Sequence, residues 1–419
     1  MRGTLPHAVK GVSLPVPPPG ARLAALPVSW RRVPLEELDP LLSEEGWPYA
    51  STPPVEPGDL GRFHALFGRD GLICALQVMP VASEVARATL RALAARQGRR
   101  EDPEIEEEPG KIGHEFRAEA PLELAQAGYA PLRGGEFRYY ATSDATSWFL
   151  VVLERVGDAA LAAELEPTWR AAARWLAGAL EQGGGFVRHA PEHPPGALTQ
   201  TGWRDTASGA NGGGIALEDG SLAPGPLADA DCQAAAYAAL RSLARLSGDA
   251  VWDARARELS AAVSQAFGPD VMALAGDGRP VPGAGSQLGW LLWSGVLEPA
   301  AAGAAADRLC APDVLTDWGL RTLSAGHAAF DPHAYHRGSV WPFDSWLGWG
   351  GLRAAGRERE AERVRSGVLS AMERLGRAPE LYAVTRDGEL ERSPLANRVQ
   401  AWSVGACWAL ENGWDGRVS

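Results

Sequence analysis

The chain has 419 residues, 46% of them hydrophobic and 22% charged, with a net charge of −12. That length supports a large buried core, and the acidic balance excludes a phosphate-tracking surface, so neither nucleic acid nor an anionic membrane is an expected partner. Cys74, Cys232, Cys310 and Cys407 are far apart and form no CxxC; Cys74, Cys232 and Cys407, in apolar, helix-like surroundings, read as small buried thiols rather than disulfides.

In chain order, residues 1–55 come first, Pro-rich and irregular, with PVPPPG at 15–20 and STPPVEPG at 51–58. They read as an N-terminal arm with at most one short strand or helix. The opening residues lack the apolar core of a leader, and no later run approaches ~18 apolar residues, which predicts a cytoplasmic chain. From about Phe63 the pattern turns helical. Apolar residues recur at spacings of three and four in 70–79, 83–97, 144–156, 159–181, 228–246, 249–267, 341–355, 357–376 and 398–411. Gly-rich breaks at 183–196 and 209–225 separate some of these stretches. Strand signals are sparse, and GGEFRYY (134–140) predicts only a short hairpin. The pattern implies about eleven or twelve helices. Each must bury one face, which pairing into hairpins and closing six hairpins into a ring achieves. The expected fold is therefore all-α, an (α/α)6 toroid with helix N-termini and long loops around one mouth, where chemistry is usually placed.

Several loop–helix junctions carry chemistry-bearing residues. In FGRDGLI (67–73), Asp70 is either an N-cap or, with Arg69, a charged fork for adjacent hydroxyls. Asp144, in YYATSDAT (139–146), has the same two readings. KIGHEFR (111–117) is either a solvated loop or a substrate wall, with Glu115 a reserve carboxylate. In TGWRDTASG (201–209), Asp205 is an exposed loop residue or a general acid whose pKa is raised beside the Trp203 ring. AYHRGSVWPFD (334–344) supplies His336, a structural histidine or a sugar contact, and Trp341, a candidate stacking platform. Pro379 disfavours helix at Ala378, so Glu380 in RAPELYAV belongs to a loop. Gln400 and Trp402, in NRVQAWS (397–403), open the final helix at the same mouth.

The count of 16 Trp against 7 Tyr and 9 Phe fits stacking on sugar rings as well as core filling. Two facing carboxylates beside aromatic rings are the minimum apparatus for glycosidic cleavage. The eight histidines are scattered, so no metal-ligand set emerges. No GxGxxG, P-loop, GxSxG or HExxH is present, which favours carboxylate chemistry on a carbohydrate without metal or cofactor. No motif specifies an oligomeric state.

FGRDGLICAL, YYATSDATSWFL, GWRDTASG, DGSLAPGPLADADCQAAAYAAL, SQLGWLLWSG, WGLRTLS, YHRGSVWPFDS, PELYAV and RVQAWSVGA, in this order between about 61 and 411, together resemble the amylo-α-1,6-glucosidase half of glycogen debranching enzymes and related six-hairpin toroid glycoside hydrolases. The resemblance implies a catalytic domain over 56–419, Asp205 as general acid and Glu380 as general base. By analogy with glucoamylases, Arg69 and Asp70 would grip the terminal sugar. Phe343 and Ser345 stand where the family often has histidine and asparagine, and residues 1–55 are too short for the debranching enzymes' N-terminal domain. A small α-glycoside or glycosyl-glycerate, as in mannosylglycerate hydrolases on similar barrels, suits a bare toroid better. The implied activity is an inverting exo-acting α-glycosidase releasing a terminal glucosyl or similar residue. The alternatives are a sugar isomerase or epimerase, for which His336 and His114 are the available histidines, and a non-catalytic carbohydrate-binding relic.

Overall fold

The computed structural model describes residues 35–53, 62–190 and 192–417. Most of the expected arm, including PVPPPG, lies outside the described residues; its described part opens with a 3-10 helix, Leu35–Leu41. The α-helices are α1 (Gly68–Val78), α2 (Ser83–Ala95), α3 (Leu122–Gln126), α4 (Ala145–Val156), α5 (Ala159–Glu164), α6 (Glu166–Gln182), α7 (Ala230–Ser247), α8 (Ala250–Ala266), α9 (Gln287–Ser294), α10 (Pro299–Leu309), α11 (Pro342–Ala354), α12 (Glu358–Leu375) and α13 (Ala401–Asn412). No described helix is long and apolar enough to cross a membrane.

Six of these form a closed inner ring. α1 packs on α4, α4 on α7, α7 on α9, α9 on α11, α11 on α13, and α13 returns to α1. Outside them α2 packs on α1, α6 on α4, α8 on α7, α10 on α9 and α12 on α11. The Leu35–Leu41 turn covers α13, so the sixth hairpin is completed by the N-terminal segment. This is the (α/α)6 toroid. Burial follows the two layers. Every residue of α1 is buried, as are Pro342–Leu352 of α11, because an inner helix touches protein all round. α2 buries only Val85, Ala86, Thr89, Leu90 and Leu93, one stripe of an amphipathic surface helix.

Three departures from the sequence expectation have a physical reason. α9 and α10 fall in none of the predicted helical stretches: QLGWLLWS is apolar on all sides and PAAAGAAADRL is nearly uniform alanine, so neither shows a stripe. The stretch 159–181 is two helices, α5 and α6; Pro167, in the first turn of α6, has no N–H to continue the ladder.

Strands are more numerous than expected but short. GGEFRYY contributes Glu136–Tyr139, which pairs antiparallel with Leu132–Arg133 and with Glu115–Arg117; the latter pairs with Leu66–Phe67. Three smaller sheets cover other loops. A bridge between Val340 and Tyr382, with N–H to O distances of 2.9 and 3.0 Å, ties the loop before α11 to the loop carrying Glu380.

The inner helices approach closely through glycine. A Cβ on Gly289 of α9 would lie 2.5 Å from Gly348 Cα of α11. Gly289→Val should therefore lower the urea unfolding midpoint, a loss of about 1–3 kcal/mol or more. Gly303→Ala in α10, where an added carbon meets nothing, should leave the midpoint unchanged or raise it.

Candidate active site

The ring places the N-terminal ends of inner helices around one mouth. Arg69 and Asp70 lie in the first turn of α1, Asp144 precedes α4, Trp341 precedes α11 and Gln400 precedes α13. Loops bring Trp203, Asp205, His336 and Glu380 to the same place. All of these except Asp144 line one pit of about 50 Å³. Asp144 is fully buried and joined to the pit through Arg69.

Arg69 organises the acidic side. It is 3% exposed and donates from Nη1 to Asp144 Oδ1 at 3.0 Å and from Nη2 to Asp205 Oδ2 at 2.8 Å. Asp144 makes no capping bond to α4; its Oδ1 also accepts from Thr142 Oγ1 at 2.9 Å. The capping reading of Asp144 thus gives way to an ion pair. Asp70 is likewise inside α1, not at its cap, which is Phe67. Among the described residues no side chain hydrogen-bonds the Asp70 carboxylate, which lines the pit. Burial pushes the Asp70 carboxyl up to about 7, against Arg69, with Asp205, Glu380 and Asp144 adding to the rise.

The two proposed catalytic carboxyls sit in different surroundings. Asp205 keeps 24% of its side chain open to the cavity. Burial raises its pKa to about 6, and Arg69 opposes the rise. Glu380 is 1% exposed. Burial raises it to about 7, opposed by Asn397 and Tyr335. Its Oε2 accepts from Asn397 N at 3.0 Å and Asn397 Nδ2 at 2.9 Å, and its Oε1 accepts from the Tyr335 hydroxyl. Tyr335 and Asn397 were not singled out from sequence, although both fall inside quoted segments. A tyrosine next to His336 and an asparagine three residues before Gln400 were the available signals.

Rings make the rest of the wall. Trp341 donates from Nε1 to Tyr335 O at 3.0 Å and stacks with His336 at 5.5 Å between centroids. Trp203 meets Trp341 edge-on at 5.5 Å. Phe343, at the position of the family's histidine, stacks on Trp402 at 3.7 Å. Trp341 is 1% exposed, so it offers the pit a small patch rather than a broad face. Gln400 Oε1 and Trp402 Nε1 are buried polar atoms with no hydrogen-bond partner among the described residues. His114 also lines the pit, 3.9 Å from Asp205. Burial and the nearby arginines hold both His114 and His336 well below the usual histidine pKa, so both stay neutral. Glu115 lies outside the pit, on an adjoining chamber, and pairs with Arg117.

Among the described residues, His189, Asp229 and Cys232 form a group whose ligand atoms lie within 4.8 Å of one another. Those atoms are engaged internally. Asp229 accepts from His189 Nε2 at 2.8 Å and caps α7 by accepting from Cys232 N at 2.6 Å. The group pins the 183–196 loop to α7.

A six-hairpin toroid with facing carboxyls in an aromatic pit at its mouth is the architecture of a glycoside hydrolase. The chain belongs to the mannosylglycerate hydrolase MGH1-like glycoside hydrolase domain family, whose model matches residues 151–394. Among solved structures it is similar to the GH63 mannosylglycerate hydrolase from Thermus thermophilus in complex with Tris and D-glycerate, at 17% identity and a TM-score of 0.62, covering 90% of this chain and 99% of that one. The same enzyme in complex with glucose aligns with a TM-score of 0.59 at 17% identity, covering 82% and 92%. A rhamnosidase from Klebsiella oxytoca with rhamnose bound aligns with a TM-score of 0.53 at 16% identity, covering 84% of this chain and 58% of that one. No curated protein sequence matches.

Removing the Arg69 guanidinium would leave Asp70, Asp144 and Asp205 buried together without it. Breaking a buried pair typically costs about 3–5 kcal/mol. In Arg69→Met the three folded carboxyls rise further above their unfolded values, so the variant's stability falls as pH rises through the folded values. The deficit against wild type, measured by urea denaturation, should be larger at pH 8 than at pH 5.

Proposed function

We propose that the protein is an inverting, exo-acting α-glycosidase that removes a terminal glucosyl or similar residue from an oligosaccharide or small glycoside. Residues 56–419 would form the catalytic domain, with 1–55 as its arm, working in the cytoplasm without metal or cofactor. Asp205, protonated, gives its proton to the leaving oxygen. Glu380, ionised, takes a proton from a water attacking the opposite face of the sugar. Inversion of this kind needs the two carboxyls ~6.5–9.5 Å apart to admit that water.

The observation that carries the assignment is the difference in setting within one pit, a buried and cradled Glu380 against an Asp205 partly open to the cavity. Glu380 accepts from Tyr335 and twice from Asn397, and both Asn397 groups are donors only. Such a cradle favours the charged form that a base requires. Asp205 is partly open toward the cavity, where a leaving oxygen would meet it. Arg69 and Asp70 offer donors and acceptors to the hydroxyls of the terminal sugar. Gln400 Oε1 and Trp402 Nε1, lacking partners among the described residues, suit two further hydroxyl contacts. Trp203, Trp341 and His336 form the dry wall, and Asp144 holds Arg69 in place.

General acid–base assistance is worth about 10²–10⁴-fold per group. Asp205→Asn and Glu380→Gln should each lower kcat at least ~100-fold with unchanged circular dichroism. Near-normal turnover in either variant removes that residue from its role. NMR of the first-formed sugar should show the β anomer. With Asp205 near about 6 and Glu380 near about 7, kcat/KM should peak between these values and fall on both sides. The required pairing, protonated Asp205 with ionised Glu380, is then a minority state even at the peak.

A further inference from the structure

A second chamber of about 320 Å³ opens beside the pit, and both are lined by Phe63, Phe67, His114, Asp205 and Tyr335. The following rests on the glycosidase reading above. If the terminal sugar fills the pit and Asp205 protonates the departing oxygen, the group that departs lies in this chamber.

The chamber's chemistry is unlike that of a carboxylate-binding site. Phe63, Leu124, Leu198 and Leu395 line it and are only half-buried, so apolar side chains remain open to the cavity. Surface of this kind loses water contact only when something apolar covers it. The acidic and basic side chains of the lining are Arg62, His114, Glu115 and Asp205, and Asp205 is paired with Arg69. Arg62 already donates to Leu395 O at 2.9 Å, and Glu115 faces Arg117. His114 stays neutral. A small hydroxyacid anion would meet guanidiniums that already have partners and would leave the apolar wall uncovered.

We propose that the chamber takes an uncharged aglycone with an apolar face, so that the substrates are aryl-bearing α-glycosides rather than glycosyl-glycerates. The reaction balances as hydrolysis. The bond from the anomeric carbon to the aglycone oxygen breaks, and that oxygen takes the Asp205 proton. Water oxygen bonds to the anomeric carbon and loses a proton to Glu380. The aglycone leaves as a neutral alcohol.

The test compares α-glucosyl, α-mannosyl and α-rhamnosyl fluorides with the benzyl α-glycosides and glycosyl-glycerates of the same sugars. Fluoride leaves the chamber empty, so it reports the pit and the two carboxyls alone. Benzyl alcohol is a leaving group of sugar-alcohol acidity, so chamber contacts rather than leaving-group chemistry decide its rate. For whichever fluoride is cleaved, the benzyl glycoside should show kcat/KM at least tenfold above the glycosyl-glycerate. The double variant Leu124→Asn/Leu198→Asn should lose that advantage and keep its fluoride rate, which also certifies its fold; if it loses the fluoride rate, Leu395→Asn serves instead. Fluoride cleavage with equal or reversed preference between the two glycosides overturns the proposal. Advantage retained in a variant with intact fluoride turnover overturns it too. Absence of cleavage of every fluoride overturns the glycosidase reading and this proposal with it.

Discussion

One guanidinium holds the mouth of this toroid together. Arg69 reaches Asp144 with one nitrogen and Asp205 with another, so it links the start of α1 to the start of α4 and to the 201–209 loop. Buried acids of like sign repel, and each is costly to strip of water. Their gathering is tolerable because Arg69 lies among them and because helix N-termini carry partial positive charge. The arrangement leaves Asp205 and Glu380 with acidities near neutral, the range in which a carboxyl exchanges protons readily at physiological pH. Stability and chemistry therefore meet at the same side chain.

Tryptophan serves two purposes here, fastening the core and lining the pit. Trp290 donates to Asp344 at 2.6 Å, Trp293 to Asp415 O at 2.7 Å, Trp346 to Trp414 O at 2.7 Å and Trp414 to Leu76 O at 2.8 Å. These are structural, and three of them clasp the segment after α13 against α1, α9 and α11. Trp402 differs. Its ring is buried against Phe343, yet its N–H has no partner among the described residues. The first group fills and fastens the core, and the second faces the pit.

Much of this was legible in the chain. The amphipathic stripes of α2, α6, α8 and α12 gave the outer layer, and Gly- and Pro-rich breaks marked the loops. The segments around Arg69, Asp205, Trp341, Glu380 and Gln400 pointed to residues that share one pit. What escaped had physical causes. α9 shows no stripe because protein surrounds it. Tyr335 and Asn397 are common residue types whose value depends on a Glu380 carboxylate 45 and 17 positions away. Asp144 reads equally as a helix cap and as a functional carboxylate because nothing local reveals that a guanidinium 75 residues earlier reaches it. The chamber beside the pit is assembled from loops, short strands and α3, whose paths follow from long-range packing rather than from local pattern.

The closure of the ring has a consequence for how the molecule comes into being. α13 is the last helix, yet it packs on α1, on α11 and on the Leu35–Leu41 turn near the beginning. A chain emerging from the ribosome can pair its early hairpins as they appear, since those contacts are local. It cannot shut the circle until residues beyond 400 have been made. Through most of synthesis α1 therefore lacks its final neighbour and shows apolar surface to the cell, and the last dozen helical residues act as a keystone whose arrival turns an open arc into an enzyme.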